Sequence, residues 1–166
     1  MSTIVSVNTY THSVVFVTDK LLNSVKTIVQ LSGLNPTRLA NEWVVLERGI
    51  RTWLDDGHLE FVHLEVFHGR TGALVGRWDF EIFYNHTGDG SFWQDPDAIR
   101  YHIQKQNIDP KDCSYEIITT TSPFRRDVNG WSRGSLRSTT GFVKQSIGTA
   151  IDGSGLSAGT GYWRKA

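Results

Sequence analysis

The sequence predicts an α+β fold in which helices cover one face of an antiparallel sheet. Three observations support this prediction. Apolar residues recur every three or four positions over residues 8–55, as in amphipathic helices, and they alternate with polar residues over residues 59–84, as in strands. The order of segments is helix, helix, hairpin, helix, strand and a long glycine-rich tail. At 166 residues, the chain is expected to form one domain, residues 1–166.

Three helices are predicted. The first covers about residues 8–31, where apolar side chains share one face, and Gly33 ends it. The pair Asn35-Pro36 starts the second, since Asn caps helices and Pro suits a first turn; it runs to Asp55. Asp95-Pro96 starts the third, which runs to about Gln106.

The strands are predicted between these helices. The stretches "LEFVHLEVFH" and "RWDFEIFY" alternate apolar and polar residues, and "GRTGA" joins them as a hairpin. In the second stretch, Arg77, Asp79 and Glu81 lie opposite the apolar face, which indicates a half-buried strand. The segment "NHTGDGSFW" is predicted to be a glycine-rich loop, and "CSYEIITTT" a further strand.

Composition excludes several classes of protein. The formal net charge is zero, so nothing favours nucleic acid or an acidic membrane as a partner. The single cysteine, Cys113, excludes an internal disulfide framework and a site made of several thiolates. No apolar run approaches the ~20 residues of a membrane span, and no secretory signal pattern is seen. A soluble cytoplasmic protein is expected.

The tail differs in charge from the rest of the chain. Residues 130–166 carry a net charge of +4 and half of the 16 glycines, whereas residues 1–129 carry −4. A basic tail of this kind is suited to docking on an acidic body, with the terminal Tyr162 and Trp163 as a latch that packs it down. The alternatives are a solvated linker, or a rigid last strand in which Trp163 merely fills a gap in the core.

The candidate motifs for catalysis and for metal binding lack the geometry or the residues that such sites require. His58, His63 and His68 lie five residues apart, a spacing that alternates between the faces of a strand, so surface or edge histidines are expected. "GLSAG" matches the nucleophile elbow, but neither a His nor an acid follows it. The sequence therefore predicts a binding protein that is not an enzyme and has no cofactor or metal. A hydrolase with weak motifs is the rival hypothesis.

The tail and the helices together resemble a known family. The segments "YTHSVVFVTD", "TGDGSFWQD", "GWSRGSLRSTTGFVKQSIG" and "SGLSAGTGYWR" are similar to those of bacterial HORMA-domain proteins from CD-NTase (CBASS) antiphage signalling operons. This resemblance implies a HORMA fold, with three helices on an antiparallel sheet and a mobile C-terminal safety belt. It places the core at about 8–129, the belt at about 130–166 and an N-terminal handle at about 1–7.

The resemblance also implies partners and a mechanism. The belt captures a closure-motif peptide from an operon protein, a sister HORMA protein or a phage protein. The closed form then binds and activates a CD-NTase synthase, and an AAA+ ATPase grips the handle and resets the switch. The expected peptide-binding residues are Trp131, Ser138, Thr139, Gly141, Phe142, Val143, Lys144, Tyr101, Tyr115 and Ile117. The expected belt latch is Tyr162 and Trp163, and the expected ATPase handle is Ser2, Thr3, Ile4 and Val5.

The resemblance leaves open the role of this chain and its contact surface with the synthase. An adaptor with a fixed C-terminal hairpin, pairing with a sister HORMA protein without itself activating the synthase, is the alternative function. Arg125 and Arg126 are candidates for the synthase contact. We expect truncation after Asn129 to abolish peptide capture and to leave the core folded.

Overall fold

A computed structural model of the chain describes residues 6–84 and 92–166. In this part of the chain there are three helices and six strands, which confirms the predicted α+β class. The predicted glycine-rich loop covers residues 85–93, of which residues 85–91 lie outside the described residues and Phe92 and Trp93 belong to a strand instead. The helices are α1 (Ser6–Leu31), α2 (Thr37–Asp55) and α3 (Pro96–Gln106), and the strands are β1 (Leu59–His68), β2 (Leu74–Tyr84), β3 (Phe92–Gln94), β4 (Cys113–Thr121), β5 (Phe142–Gly153) and β6 (Leu156–Lys165).

All six strands form one antiparallel sheet in the order β3-β5-β6-β2-β1-β4. The C-terminal hairpin of β5 and β6 lies within this order, because β6 pairs with residues 77–84 of β2 and β3 pairs with the end of β5. The β1–β2 hairpin separates it from β4, which forms one edge. None of the helices in the described residues has the length and apolar character needed to span a membrane.

The local signals at the helix starts explain two of the boundaries. The side chain of Asn35 accepts a hydrogen bond from the Thr37 amide (3.0 Å), so α2 begins just after Pro36. The side chain of Asp95 accepts one from the Ala98 amide (3.1 Å), with Pro96 in the first turn of α3. Each bond satisfies an amide that has no partner within its own helix.

The core lies between the helices and one face of the sheet. Trp53 of α2 and Trp78 and Phe80 of β2 are among its largest fully buried side chains. Fully burying a large apolar side chain contributes about 1.5–3 kcal/mol, so this layer supplies most of the stability. The face of the sheet that points away from the helices is called the outer face below.

The tail contributes side chains to this core, which bears on the expected effect of a truncation after Asn129. Ile151, Leu156, Ala158 and Tyr162 of the C-terminal hairpin are all buried within the main hydrophobic cluster. Cutting the chain after Asn129 would remove these side chains and the strand that pairs with β2. Contrary to the expectation from the sequence, we therefore expect that such a truncation does not leave the core folded. The short strand β3 was also not predicted.

The segment between β4 and β5 has no regular secondary structure. We call residues 122–141 the strap. It starts beside the C-terminal end of α2, where the Ser122 amide donates to His58 O (2.9 Å). It ends where the Phe142 amide donates to Thr139 O (2.9 Å) and β5 begins.

Candidate functional site

The free edge of β4 is the first element of the site. On one side β4 pairs with β1, and no strand among the described residues pairs with its other side. The Gly69 amide donates to Asp112 O (2.8 Å), and in an antiparallel pair such bonded positions alternate along the strand. The backbone groups of Tyr115, Ile117 and Thr119 therefore point away from β1. Their side chains lie on the helix side of the sheet.

One end of this edge is closed. Arg38 Nη1 donates to Tyr115 O (2.8 Å), and the Tyr115 hydroxyl donates to Asn35 O (2.6 Å) while accepting from the Leu39 amide (3.1 Å). Burial raises the pKa of Tyr115, so it stays a neutral donor. The backbone groups of Ile117 and Thr119 are left as the accessible part of the edge.

A channel of about 800 Å³ runs along this accessible edge. Its three walls are α2, β4 and the strap. The size is within the range of ligand-binding cavities. The residues that line it are Arg38, Asn41, Glu42, Val45, Leu46 and Trp53 from α2, Glu116, Ile117, Ile118, Thr119, Thr120 and Thr121 from β4, and Ser122, Pro123, Arg125, Asp127, Gly130, Trp131, Ser132, Arg133 and Gly134 from the strap.

Trp131 fixes the strap to α2. Its Nε1 donates to Val45 O (2.9 Å), and its ring packs edge-on against Trp53, with 5.0 Å between ring centroids. A Cβ atom on Gly49 would lie 2.2 Å from Trp131 Nε1, so only glycine fits at this position of α2. Gly130, at φ +93°, sets the backbone turn that lets the indole reach this place.

The arginines before Trp131 are engaged within the chain. Arg126 makes two hydrogen bonds to the carboxylate of Asp56 (2.6 and 2.7 Å), and they hold the pKa of Asp56 below its ordinary value. Arg125 contacts Asp127 (2.9 Å) and lies over the ring of Trp53. The structure thus assigns intramolecular contacts to the two candidates for the synthase interface.

Beyond Trp131 the strap crosses the edge of β4 to the outer face. Ser132, Arg133 and Gly134 line the channel. Arg137 then lies on the outer face, where its amide and its Nη1 donate to the two carboxylate oxygens of Glu65 on β1 (3.0 and 2.9 Å). The strap is therefore attached on both sides of the β4 edge and encloses it.

The outer face next to Glu65 carries a row of buried polar side chains. His63 Nδ1 lies 2.6 Å from Asp79 Oδ1, and His63 Nε2 lies 2.8 Å from Thr120 Oγ1. Arg77 Nε donates to Asp79 Oδ1 (3.0 Å). The expectation of a surface or edge histidine is wrong for His63, which is 4% exposed. Likewise Arg77 and Asp79 are covered, so the strand β2 is buried on more than its apolar face.

The terminal aromatic residues lie on opposite faces of β6. Tyr162 is in the core, where it stacks on Trp78 (4.9 Å between centroids) and its hydroxyl contacts His102 Nδ1 (2.9 Å). Trp163 is on the outer face, and its Nε1 donates to Asp79 Oδ2 (2.8 Å). Burial acts to raise the pKa of Asp79, but the hydrogen bonds from His63 and Trp163 outweigh it and leave that pKa lowered.

The structure brings only some of the predicted site residues together. Tyr115, Ile117 and Trp131 lie at the channel or its closed end. Tyr101 is on α3, 56% exposed, against His102 and Lys105 and away from β4. The remaining predicted residues lie in the last part of the strap (Ser138, Thr139 and Gly141) or at the start of β5 (Phe142, Val143 and Lys144), and β5 is separated from β4 by three strands. The predicted ATPase handle, Ser2, Thr3, Ile4 and Val5, lies outside the described residues.

Sequence reasoning missed the residues that complete the site. Val45, Leu46 and Trp53 of α2 line the channel, and the apolar pattern of α2 indicated only a core face. Glu65 and Arg137 attach the strap. The available signal was a carboxylate inside the apolar run of β1, a position that needs a cationic partner when it is buried.

Comparison with known proteins identifies the family of this chain. The bacterial HORMA domain 2 family matches residues 1–166. The chain belongs to this family. HORMA domains are generally non-enzymatic binding modules, so the match indicates no enzymatic family. No curated protein sequence matches this HORMA domain.

Solved structures show the same fold at low sequence identity. A chain of the mitotic checkpoint complex superposes with a TM-score of 0.77 at 9% identity, covering 93% of this HORMA domain and 99% of that chain. C. elegans HTP-2 bound to HTP-3 closure motif 1 has a TM-score of 0.56 at 12% identity, covering 89% and 85%. The E. coli MS115-1 CdnC:HORMA-deltaN complex has a TM-score of 0.61 at 13% identity, covering 95% and 89%.

Proposed function

We propose that this HORMA domain is a non-enzymatic, peptide-binding conformational switch. In this proposal the belt, about residues 130–166, holds a closure-motif peptide against the body of the fold. The peptide-bound form binds a CD-NTase and activates its synthesis of a second messenger in antiphage defence in the cytoplasm. An AAA+ ATPase resets the switch by pulling on the N-terminal segment.

The observation that carries this proposal is the enclosed free edge of β4. An extended peptide placed beside β4 would exchange main-chain hydrogen bonds with Ile117 and Thr119, which is strand addition. Its side chains would alternate between the channel wall formed by Val45, Leu46 and Trp131 and the opposite side. Because the strap is attached on both sides of this edge, a bound peptide would be surrounded rather than merely covered.

Two of the similar structures support the choice of partners. HTP-2 is bound to a closure motif, and the E. coli HORMA protein is in complex with CdnC. The order of events, the activation of the synthase and the role of the ATPase follow from the family resemblance alone. The proposal therefore needs an experiment that tests the peptide first.

Thr119→Pro tests peptide capture directly. Proline removes one outward N–H of β4, and this group takes no part in the pairing with β1, so the fold should persist. We expect short peptides selected by display on the wild-type chain to lose about tenfold or more in affinity, since a buried acceptor on the peptide then has no partner. Thr119→Val is the matched control, because it changes the side chain and keeps the amide.

The readout is peptide affinity for the three chains by calorimetry, with circular dichroism to confirm equal folding. Weaker binding to Thr119→Pro and near-wild-type binding to Thr119→Val would support strand addition at β4. Equal affinity for all three chains would contradict it. A selection that returns no peptide would favour the adaptor function described next.

An adaptor with a fixed C-terminal hairpin is the second candidate. The observation that favours it is the burial of Leu156, Ala158 and Tyr162 of β6 in the core. A hairpin held in this way resists movement and presents one constant surface. Protease sensitivity of the strap that stays the same with and without a partner would distinguish this adaptor from a switch.

A further inference from the structure

The outer face of the sheet contains a receptor for one guanidinium group, and Arg137 of the strap occupies it. Arg137 Nη1 donates to Glu65 Oε1 (2.9 Å) and to Glu116 Oε1 (2.6 Å), and Nε donates to Gly72 O (3.0 Å). The guanidinium also lies over the ring of Phe67, 3.7 Å from its centroid. Two carboxylates, a carbonyl and an aromatic face suit a planar guanidinium better than an ammonium group.

The two carboxylates need this cation. Glu65 and Glu116 are directly opposite each other on β1 and β4, and like charges in this position destabilise a sheet. The side chain of Glu65 is 0% exposed, and its other cationic neighbour, Arg77, is at 3.8 Å. Arg137 thus compensates a repulsion that is built into the body of the fold.

Arg137 is also placed where the strap has few other attachments. Among the described residues from 132 to 140, it alone has hydrogen bonds or ion pairs to β1, to β4 or to the turn after β1. The bonds of Ser138 and Thr139 stay within the strap or reach only the start of β5. Trp131 fixes the other side of the β4 edge.

We propose that Glu65 and Glu116 form an arginine receptor, and that its occupation by Arg137 holds the strap closed over the free edge of β4. Arg137 is a positioning residue in this role, because it does not line the channel. When the strap lifts, the receptor empties and the two carboxylates face each other. Any effect on the release of a captured peptide rests on the proposed function, whereas the closure of the strap does not.

The experiment measures backbone order in the strap of the full chain without peptide. Rigid backbone has an amide order parameter of about 0.85, and flexible backbone falls below about 0.6. We expect Arg137→Ala to take the amides of residues 132–140 from the first range to the second and to leave β1 and β2 unchanged. Arg133→Ala is the matched control, since Arg133 is an exposed strap arginine outside the receptor.

Chemical rescue distinguishes an arginine that occupies a receptor from an arginine with a merely structural role. Millimolar guanidinium ion, well below denaturing concentrations, should refill the receptor in Arg137→Ala and restore part of the order, whereas ammonium ion should not. Arg137→Lys should give intermediate order, because an ammonium cannot form the same fork of bonds.

Two results would overturn the proposal. One is unchanged order in Arg137→Ala; the other is an equal loss of order in Arg133→Ala. If Arg137→Ala does not fold, wild-type order in Arg137→Lys would have the same meaning. Because no peptide is present, the result does not depend on whether the channel captures one, and the two proposals can fail separately.

Discussion

The strap and the C-terminal hairpin belong to one glycine-rich tail, yet they are attached to the fold in different ways. The hairpin contributes Leu156, Ala158 and Tyr162 to the core and pairs with residues 77–84 of β2. The strap is irregular and mostly exposed, and side chains such as Trp131 and Arg137 carry most of its attachment. Glycine content alone therefore does not decide whether a segment is loosely held; the apolar residues between the glycines decide it.

This difference has a consequence for the proposed switch. A movement confined to the strap would break a few side-chain contacts, whereas a movement of the hairpin would expose part of the core. We therefore expect the strap to open when its few side-chain contacts, that of Arg137 among them, are broken. The hairpin should move only when part of the core unfolds.

Truncation after Asn129 should have the largest effect. It removes five buried apolar side chains and leaves the β2 edge and Trp78 exposed. We therefore expect the truncated chain to aggregate and to lose its cooperative unfolding transition. Circular dichroism during urea titration, compared with the intact chain, measures this. A truncated chain with a sharp transition would show that the hairpin is dispensable and that it is as separable as the strap.

Tyr162→Ala should have the next largest effect. The side chain is 1% exposed and stacks on Trp78, and removing a buried aromatic ring costs about 3–5 kcal/mol of unfolding free energy. Tyr162→Phe is the matched control; it loses only the contact with His102 and should cost about 0.5–1.5 kcal/mol. Equal urea midpoints for Tyr162→Ala and the wild type would mean that β6 is not part of the stable core.

Acid should have the smallest effect, acting on the outer-face attachment of the hairpin. The folded-state pKa of Asp79 is lowered, so its stabilisation is present above the ordinary value of 3.8 and is lost as the pH falls through the folded pKa. The stability difference between the wild type and Asp79→Asn should therefore shrink as the pH falls from about 5 toward 2. Urea midpoints of both chains across this window provide the measurement.

Trp163→Phe sharpens the acid experiment. It keeps an aromatic ring and removes the Nε1 donor to Asp79. The stability of this variant should therefore depend less on pH than that of the wild type. A pH-independent difference between the wild type and Asp79→Asn would contradict a stabilising role for the Asp79 carboxylate.

Much of the fold followed from local patterns in the sequence. β1 and β4 match their predicted segments, and α2 and α3 begin where Asn35-Pro36 and Asp95-Pro96 indicated. These features depend on side-chain periodicity and capping, which are properties of a short stretch of chain. The pairing of β6 with β2 could not be derived in this way, because it joins segments some eighty residues apart, as Arg77 and Trp163 illustrate.

The site was less predictable than the fold. Ile117 and Trp131 were named in advance, but only through a family resemblance. Arg137 and Glu65 were not paired, since nothing local relates two residues 72 positions apart. Phe142, Val143 and Lys144 were predicted to bind the peptide as part of one continuous belt, whereas in the structure they belong to the hairpin, away from the β4 edge. Their role in peptide binding stays a prediction.

The enclosure of the β4 edge also bears on solubility. The end of β4, "IITTT", is rich in β-branched residues, and an unpaired strand of this composition is a template for aggregation between chains. Natural proteins protect such edges with charges, prolines or a covering loop. The strap covers this one without pairing with it. The strap thus also separates this edge from other copies of the protein, so variants that loosen the strap should aggregate more readily during storage.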